Sequence, residues 1–129
     1  MRQLSEHFFP VEFTCHCGCG FGLQEGDVSQ KLIDALEKLR WLCCQIKKVD
    51  VPLVVVSGAR CKKHNSSKRV GGAPNSRHLV CDAADIKAYG IDPGALYSIA
   101  KQIPQFRDGG LGVYKTWLHV DTRGYRARW

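Results

Sequence analysis

The stretch from Asp27 to Ser57 restricts the fold more than any other part of the chain. Leu32, Ile33, Leu36, Leu39, Leu42, Cys43 and Ile46 recur at the spacing that gathers apolar side chains on one face of an α-helix. Asp27 or Ser29 can cap its start, while Glu37, Lys38 and Lys47 fall mostly off that face. Val51–Pro52 ends the segment, and Leu53–Val54–Val55–Val56–Ser57 follows as a short, continuously apolar run rich in β-branched residues. A strand apolar on both faces is buried in a sheet. A core helix therefore has to lie against a sheet, and that helix carries no chemistry.

The rest of the chain must complete that sheet. Residues 1–26 read as an irregular arm, anchored by Phe8, Phe9, Val11 and Phe13 and broken by Gly18, Gly20, Gly22 and Gly26. It is too apolar for a disordered tail and is expected to lie on the domain. Cys61 to Val70 is polar, with a short helix containing His64 and Asn65, and Gly71–Gly72–Ala73–Pro74–Asn75 is a turn-rich loop that delivers Ser76 and His78. Ala83–Ala84–Asp85–Ile86 is a second strand. Asp92–Pro93 is a helix start with aspartate at the cap and proline in the first turn; Ala95, Leu96, Ile99, Ala100 and Ile103 form its buried face and Pro104 stops it. Gly109 to Tyr114 is a strand with glycines where backbone or ligand comes close, Lys115–Thr116 turns the chain, and Trp117 to Asp121 returns as the last strand before a basic tail. This order predicts one α+β domain over residues 1–129, a small, largely antiparallel sheet with helices packed on one face.

Charge and cysteine content narrow the functional classes. The net charge of +7 is spread over Lys47–Lys48, the segment from Arg60 to Arg69, and Arg123, Arg126 and Arg128. With no helix-turn-helix or RNP-like signature, this suits general attraction to a polyanion and not specific nucleic-acid binding. No apolar run approaches the roughly 20 residues that span a bilayer, so no membrane partner is expected. The first ten residues lack the apolar core and cleavage site of a signal peptide, which predicts synthesis in the cytoplasm. Seven cysteines, an odd total, are then expected to be reduced. Cys15, Cys17 and Cys19, with Cys61, offer the donors of a small structural metal knot. C-x-C-x-C is not the usual zinc-finger spacing, however, and a turn packed with free or bridged thiols is the plainer expectation.

One constellation carries chemistry. Residues two apart on a strand share a face, so His119 and Asp121 look into the same space, with Leu118 and Val120 turned to the core. If the strand holding Asp85 lies alongside, Asp85 meets His119, and His78 closes from the preceding loop. Two imidazoles and a carboxylate make a three-ligand zinc site with the fourth position left for water, the composition of a catalytic rather than a structural zinc. Taken singly, each of these residues is as readily a surface or hydrogen-bonded structural group.

Ser57–Gly58–Ala59–Arg60, His64–Asn65, Val70–Gly71–Gly72–Ala73–Pro74–Asn75–Ser76, His78, Ala83–Ala84–Asp85, Gly109–Gly110–Leu111–Gly112–Val113–Tyr114 and His119–Val120–Asp121 together resemble the D-alanyl-D-alanine carboxypeptidase family of zinc peptidases, in its small single-domain branch of phages and bacteria. The resemblance runs from about Phe8 to Arg123. It implies a hedgehog-like zinc fold, with His78, Asp85 and His119 as zinc ligands and Arg60 near the metal, binding substrate or stabilising developing negative charge. It also implies a monomeric peptidoglycan hydrolase, an endopeptidase or a carboxypeptidase, released to the cell wall or carried on a virion. The alternative is a non-catalytic zinc-containing binding or virion module. Two departures stand out. Cys81 replaces the family's usual glycine, where a positive φ would strain it. Thr116 stands where several members place the carboxylate general base, which leaves Asp121 as the nearest candidate for that role, or as a residue that orients a ligand.

Overall fold

The computed structural model describes residues 3–67, 70–73 and 75–129. Arg69 of the basic segment and Pro74 of the predicted turn lie outside the described residues. Helix α1 (Gln30–Lys47) is followed by strand β1 (Leu53–Ser57), the short helix α2 (Lys62–Asn65), strand β2 (Ala83–Ala88), helices α3 (Pro93–Ala100) and α4 (Pro104–Arg107), and strands β3 (Gly110–Val113), β4 (Leu118–Asp121) and β5 (Ala127–Arg128). The five strands form one sheet in the order β1-β2-β4-β3-β5. All pairings are antiparallel except β3 with β5, so the α+β architecture is mixed at one edge.

The start of α1 follows from its sequence. Of the two candidate caps it is Ser29 whose hydroxyl accepts from the Leu32 N–H, at 3.4 Å. Leu32, Ile33, Ala35, Leu36, Leu39 and Cys43 are buried, but Ile46, in the last turn, is 55% exposed. Asp92 caps α3 through a 2.8 Å bond from the Ala95 N–H. Pro104 not only ends that segment but opens α4, which buries Phe106. The core lies between these helices and one face of the sheet, formed by Ala84 and Ile86 of β2, Leu111 of β3 and Leu118 and Val120 of β4.

Two expectations are corrected. The run Leu53–Ser57 is an edge strand paired only with β2, not a strand buried on both faces: Val54, across from the exposed Lys87, is 55% exposed on an uncovered face. The chain also gains a last strand beyond Asp121, β5, whose backbone pairs with Gly110 and Leu111. The N-terminal arm lies on the domain as expected, with Phe8 and Phe13 in the core and a short 3-10 helix over Pro10–Phe13, although Val11 faces solvent. Its latch is Glu37, whose carboxylate accepts from the Ser5 hydroxyl at 2.6 Å and the His7 N–H at 2.8 Å, with the His7 ring at 2.7 Å.

Candidate metal centre

The opposite face of the sheet holds the chemistry. Antiparallel pairing of β2 with β4 sets Asp85 directly across from His119 and Ala83 across from Asp121. In β1 the register slips between Val55 and Ser57, and this irregularity brings Ser57 opposite Asp85. A bulge re-aims side chains in this way. Ser57 then accepts from the Arg60 Nε–H at 3.3 Å, and the Arg60 guanidinium donates to Asp85 Oδ2 at 3.2 Å and to Asn65 Oδ1 at 3.4 Å. His78 arrives from a 3-10 turn over Arg77–Val80, capped by Ser76.

Each histidine has one ring nitrogen held from behind. His78 Nδ1 lies 2.6 Å from the Gly58 carbonyl, an acceptor only, so Nδ1 carries the proton and Nε2 is free. His119 Nε2 lies 2.8 Å from Asp121 Oδ2, which leaves Nδ1 to face forward. Both forward nitrogens point at Asp85, His78 Nε2 at 3.4 Å from Oδ2 and His119 Nδ1 at 3.1 Å from Oδ1. All three side chains are buried, and one donor atom from each lies within 4.8 Å of the others. Two ligands about 2.0–2.1 Å from a tetrahedral zinc stand roughly 3.3 Å apart. The two measured approaches bracket that spacing, and outer hydrogen bonds of this kind fix the tautomer of metal-binding histidines. The donor set fits zinc.

Electrostatics reinforce the grouping. Burial pushes the Asp85 carboxyl up, but the His119 and His78 rings beside it outweigh this and hold the group below the usual carboxylate range. Burial lowers the His119 pKa, and hydrogen bonds to Asp121 and Asp85 reverse this and raise it. Metal binding at this centre therefore has to displace a proton that the two carboxylates favour.

Asp121 sits behind the site. It has no exposed surface. Oδ1 accepts from the Gly110 N–H at 2.8 Å and from the Arg123 backbone and Nε at 3.2 and 2.9 Å; Oδ2 accepts from Arg123 at 2.7 Å and faces His119. Burial raises its pKa, yet His119 and Arg123 bring it below the ordinary range. The glycines of β3 are explained here. A Cβ on Gly110 would strike the Asp121 carboxylate, and one on Gly112, across from His119, would strike the Trp129 indole. At Gly109 the close approach is made by backbone, the Asp121 and Gln105 carbonyls, and at Gly110 and Gly112 by side chains.

The metal-facing atoms open into a cleft of about 460 Å³ lined by Arg60, Arg77, Tyr114, Trp117, Arg123 and Trp129, among others. Among the described residues lining it, Asp85 is the only carboxylate. The Trp129 ring lies 4.8 Å from that of His119, and its indole N–H donates to the Tyr114 hydroxyl at 2.8 Å. Arg123, Trp129 and Tyr114 had no assigned part in the sequence reading. Arg123 alone left a sign there, being the next same-face residue after His119 and Asp121. A larger hollow of about 950 Å³, beside the arm and α1, shares no lining residue with the cleft and gathers no comparable chemistry.

A family model described as Peptidase M15 matches residues 6–121, nearly the whole chain and all three candidate ligands. The chain belongs to the Peptidase M15 family. This is a zinc peptidase family of the D-Ala-D-Ala carboxypeptidase type, so the cofactor is zinc and the substrate a peptide. A comparison with curated proteins finds no match. Arg123 and Trp129 lie beyond the matched M15 segment yet complete its cleft. No helix among the described residues is long and apolar enough to cross a membrane.

Proposed function

We propose that this M15 protein is a monomeric, zinc-dependent hydrolase of peptide bonds in bacterial peptidoglycan, acting at the cell wall after release from the cytoplasm or from a virion. The reading rests on the convergence of His78 Nε2, His119 Nδ1 and Asp85 at the floor of an arginine-lined cleft. Zinc held there supplies Lewis acidity, which makes water a nucleophile near neutral pH and polarises a carbonyl.

The protein's own groups do the rest. Gly58 and Asp121 fix the tautomers of His78 and His119, and Arg60 fixes Asp85. Arg60 has five N–H donors, of which three are engaged; the others are available to an oxygen that gains negative charge. Arg77 and Arg123 add positive charge to the cleft, which suits a substrate bearing a carboxylate. Asp121, with no surface and both oxygens occupied, serves as the residue that orients His119 and not as the proton acceptor. Tyr114 accepts from Trp129, so its own O–H is left to donate to the reacting oxygen or the leaving amine.

A second reading is favoured by one observation: the cleft offers no carboxylate apart from Asp85, and Thr116 supplies none. On that reading the chain is a zinc-bearing binding module. Digestion of purified peptidoglycan separates the two, with chelator, without it, and after zinc restoration, the products being weighed. The hydrolase reading expects new fragments that vanish with chelator and return with zinc; loss of D-alanine marks a carboxypeptidase and opened cross-links an endopeptidase. Stoichiometric zinc with intact peptidoglycan supports the binding module. Zinc that is absent and cannot be restored overturns both.

A further inference from the structure

We propose that Cys15, Cys17, Cys19 and Cys61 form a second zinc site, structural and closed, that clamps the N-terminal arm beside Arg60. The four sulfurs lie within 4.8 Å of one another, with Cys15–Cys17, Cys17–Cys61 and Cys15–Cys61 separations of 3.5, 3.6 and 3.9 Å. All four cysteines are free thiols, and a disulfide would need sulfurs about 2.05 Å apart. Four sulfurs each about 2.3 Å from a tetrahedral zinc stand roughly 3.8 Å from one another. The cluster therefore has the spacing of a metal site and not that of a bridge. Four thiolates also leave no open position, which separates this site from the three-ligand centre in the cleft.

The unusual C-x-C-x-C spacing has a physical explanation. Gly18 and Gly20 hold φ of +84° and +87°, and a Cβ on either would meet nothing within 4 Å. These glycines are thus required by conformation and not by space. They bend the segment into consecutive turns, closed by Gly18 N–H to the Cys15 carbonyl at 3.2 Å, Leu23 N–H to the Gly20 carbonyl at 3.1 Å and Cys15 N–H to the Phe21 carbonyl at 2.8 Å. Three sulfurs of alternating residues are gathered on one side, and Cys61 meets them from the start of α2. Backbone N–H groups are aimed at the sulfurs, from Cys61 to Cys15 Sγ at 3.5 Å and from His64 to Cys61 Sγ at 3.4 Å, as suits thiolates.

Binding one Zn²⁺ displaces up to four thiol protons to solvent and leaves a centre of net charge −2. Lys63 lines the same small hollow as Cys17, Cys19 and Cys61, in a chain of net charge +7, and offsets that charge. The clamp joins residues 46 apart in sequence. It lies next to the Ala59 N–H bond to the Phe13 carbonyl, at 2.7 Å, and one residue from Arg60. A metal here would fix the arm against the segment that positions the cleft's arginine. It would add folding free energy without taking part in hydrolysis.

The test is metal analysis of the reduced full chain, together with cobalt substitution. The expected result is an equivalent of zinc beyond the one held by His78, Asp85 and His119. With cobalt, that equivalent gives the sulfur-to-metal charge-transfer bands of a tetrahedral thiolate site. His78→Ala keeps the thiolate bands, whereas the double variant Cys17→Ser, Cys19→Ser loses them and keeps the other equivalent. Because the double variant can misfold, alkylation of the unaltered chain gives an independent reading. Cys17 and Cys19, both exposed, should label slowly until a chelator is added. The proposal is overturned if His78→Ala holds no metal while the unaltered chain holds one equivalent, if the thiols label equally with and without chelator, or if they prove to be disulfide-bonded.

Discussion

Asp121 accepts from two backbone N–H groups and the Arg123 guanidinium, and faces His119, all without exposed surface. On the proposed reading, a carboxylate in that position acts on zinc only through His119. Replacing it by asparagine keeps the volume but weakens the hold on His119 Nε2. Losing an outer partner of this kind typically lowers metal affinity by about 10–100-fold. Competition with a chromophoric chelator should show that loss in Asp121→Asn. If zinc affinity is unchanged while turnover disappears, Asp121 is the base after all. Cys81 poses a different question at the same scale. It caps the 3-10 turn with φ +59°, a region that disfavours side chains, yet its side chain is buried in the core. Burial, then the nearby Asp27 and Asp82, push its thiol up to about 12, so it stays a protonated, apolar group and not a rival for the metal. Glycine there removes the strain and the packing together, whereas alanine removes packing and keeps the strain, which is worth about 1 kcal/mol. Chemical denaturation should find Cys81→Ala less stable than Cys81→Gly.

Among the elements, the N-terminal arm depends on one buried-edge carboxylate of α1. Burial alone would raise the Glu37 pKa, but hydrogen bonds from Ser5 and His7 outweigh it and lower the value from its ordinary 4.5. A carboxyl lowered by folding contributes its stability in full above about its unfolded value, and that contribution is lost as pH falls through the lower folded value. The arm should therefore loosen in acid, below about pH 4.5, and Glu37→Gln should loosen it at neutral pH. Amide exchange at His7 and Leu4 reads this directly; unchanged protection in the variant would show that Phe8 and Phe13 hold the arm alone. Such latches leave no mark in a sequence, since Glu37 has the same spacing as any solvated residue on α1. The helix itself was legible because apolar spacing reports a buried face, and the site face because His119 and Asp121 must share it. The exposed Val54 and the pairing of Ala127–Arg128 were not legible, because an apolar run does not tell whether one of its faces is left uncovered and a two-residue strand has no period. The candidate metal centre, as a grouping of side chains, was legible through His78, Asp85 and His119, whereas the neighbours Gly58 and Trp129 depend on tertiary proximity alone.

At the scale of the whole molecule, charge is arranged in two ways that have different consequences. Of the charge that gives the chain its net +7, the lysines among the described residues are exposed, whereas Arg60, Arg77 and Arg123 in the cleft are each paired with a carboxylate, Asp85, Asp82 and Asp121. Dispersed surface charge acts at a distance and is screened, with a Debye length of about 8 Å at physiological salt and about 3 Å at 1 M. Paired, half-buried arginines act by contact and are screened much less. Adsorption of the protein to purified anionic cell walls should thus fall steeply between these two salt concentrations. On the hydrolase reading, turnover of a short, soluble peptidoglycan peptide, which would need only the cleft, should change by no more than about twofold, since uniform attraction contributes to encounter and not to contact chemistry. Co-sedimentation with walls and peptide hydrolysis, followed over the same salt series, give both quantities. Wall binding that survives 1 M salt would assign retention to the cleft or to an apolar surface. A parallel collapse of peptide turnover would instead mean that the three arginines capture the substrate's carboxylate by long-range attraction.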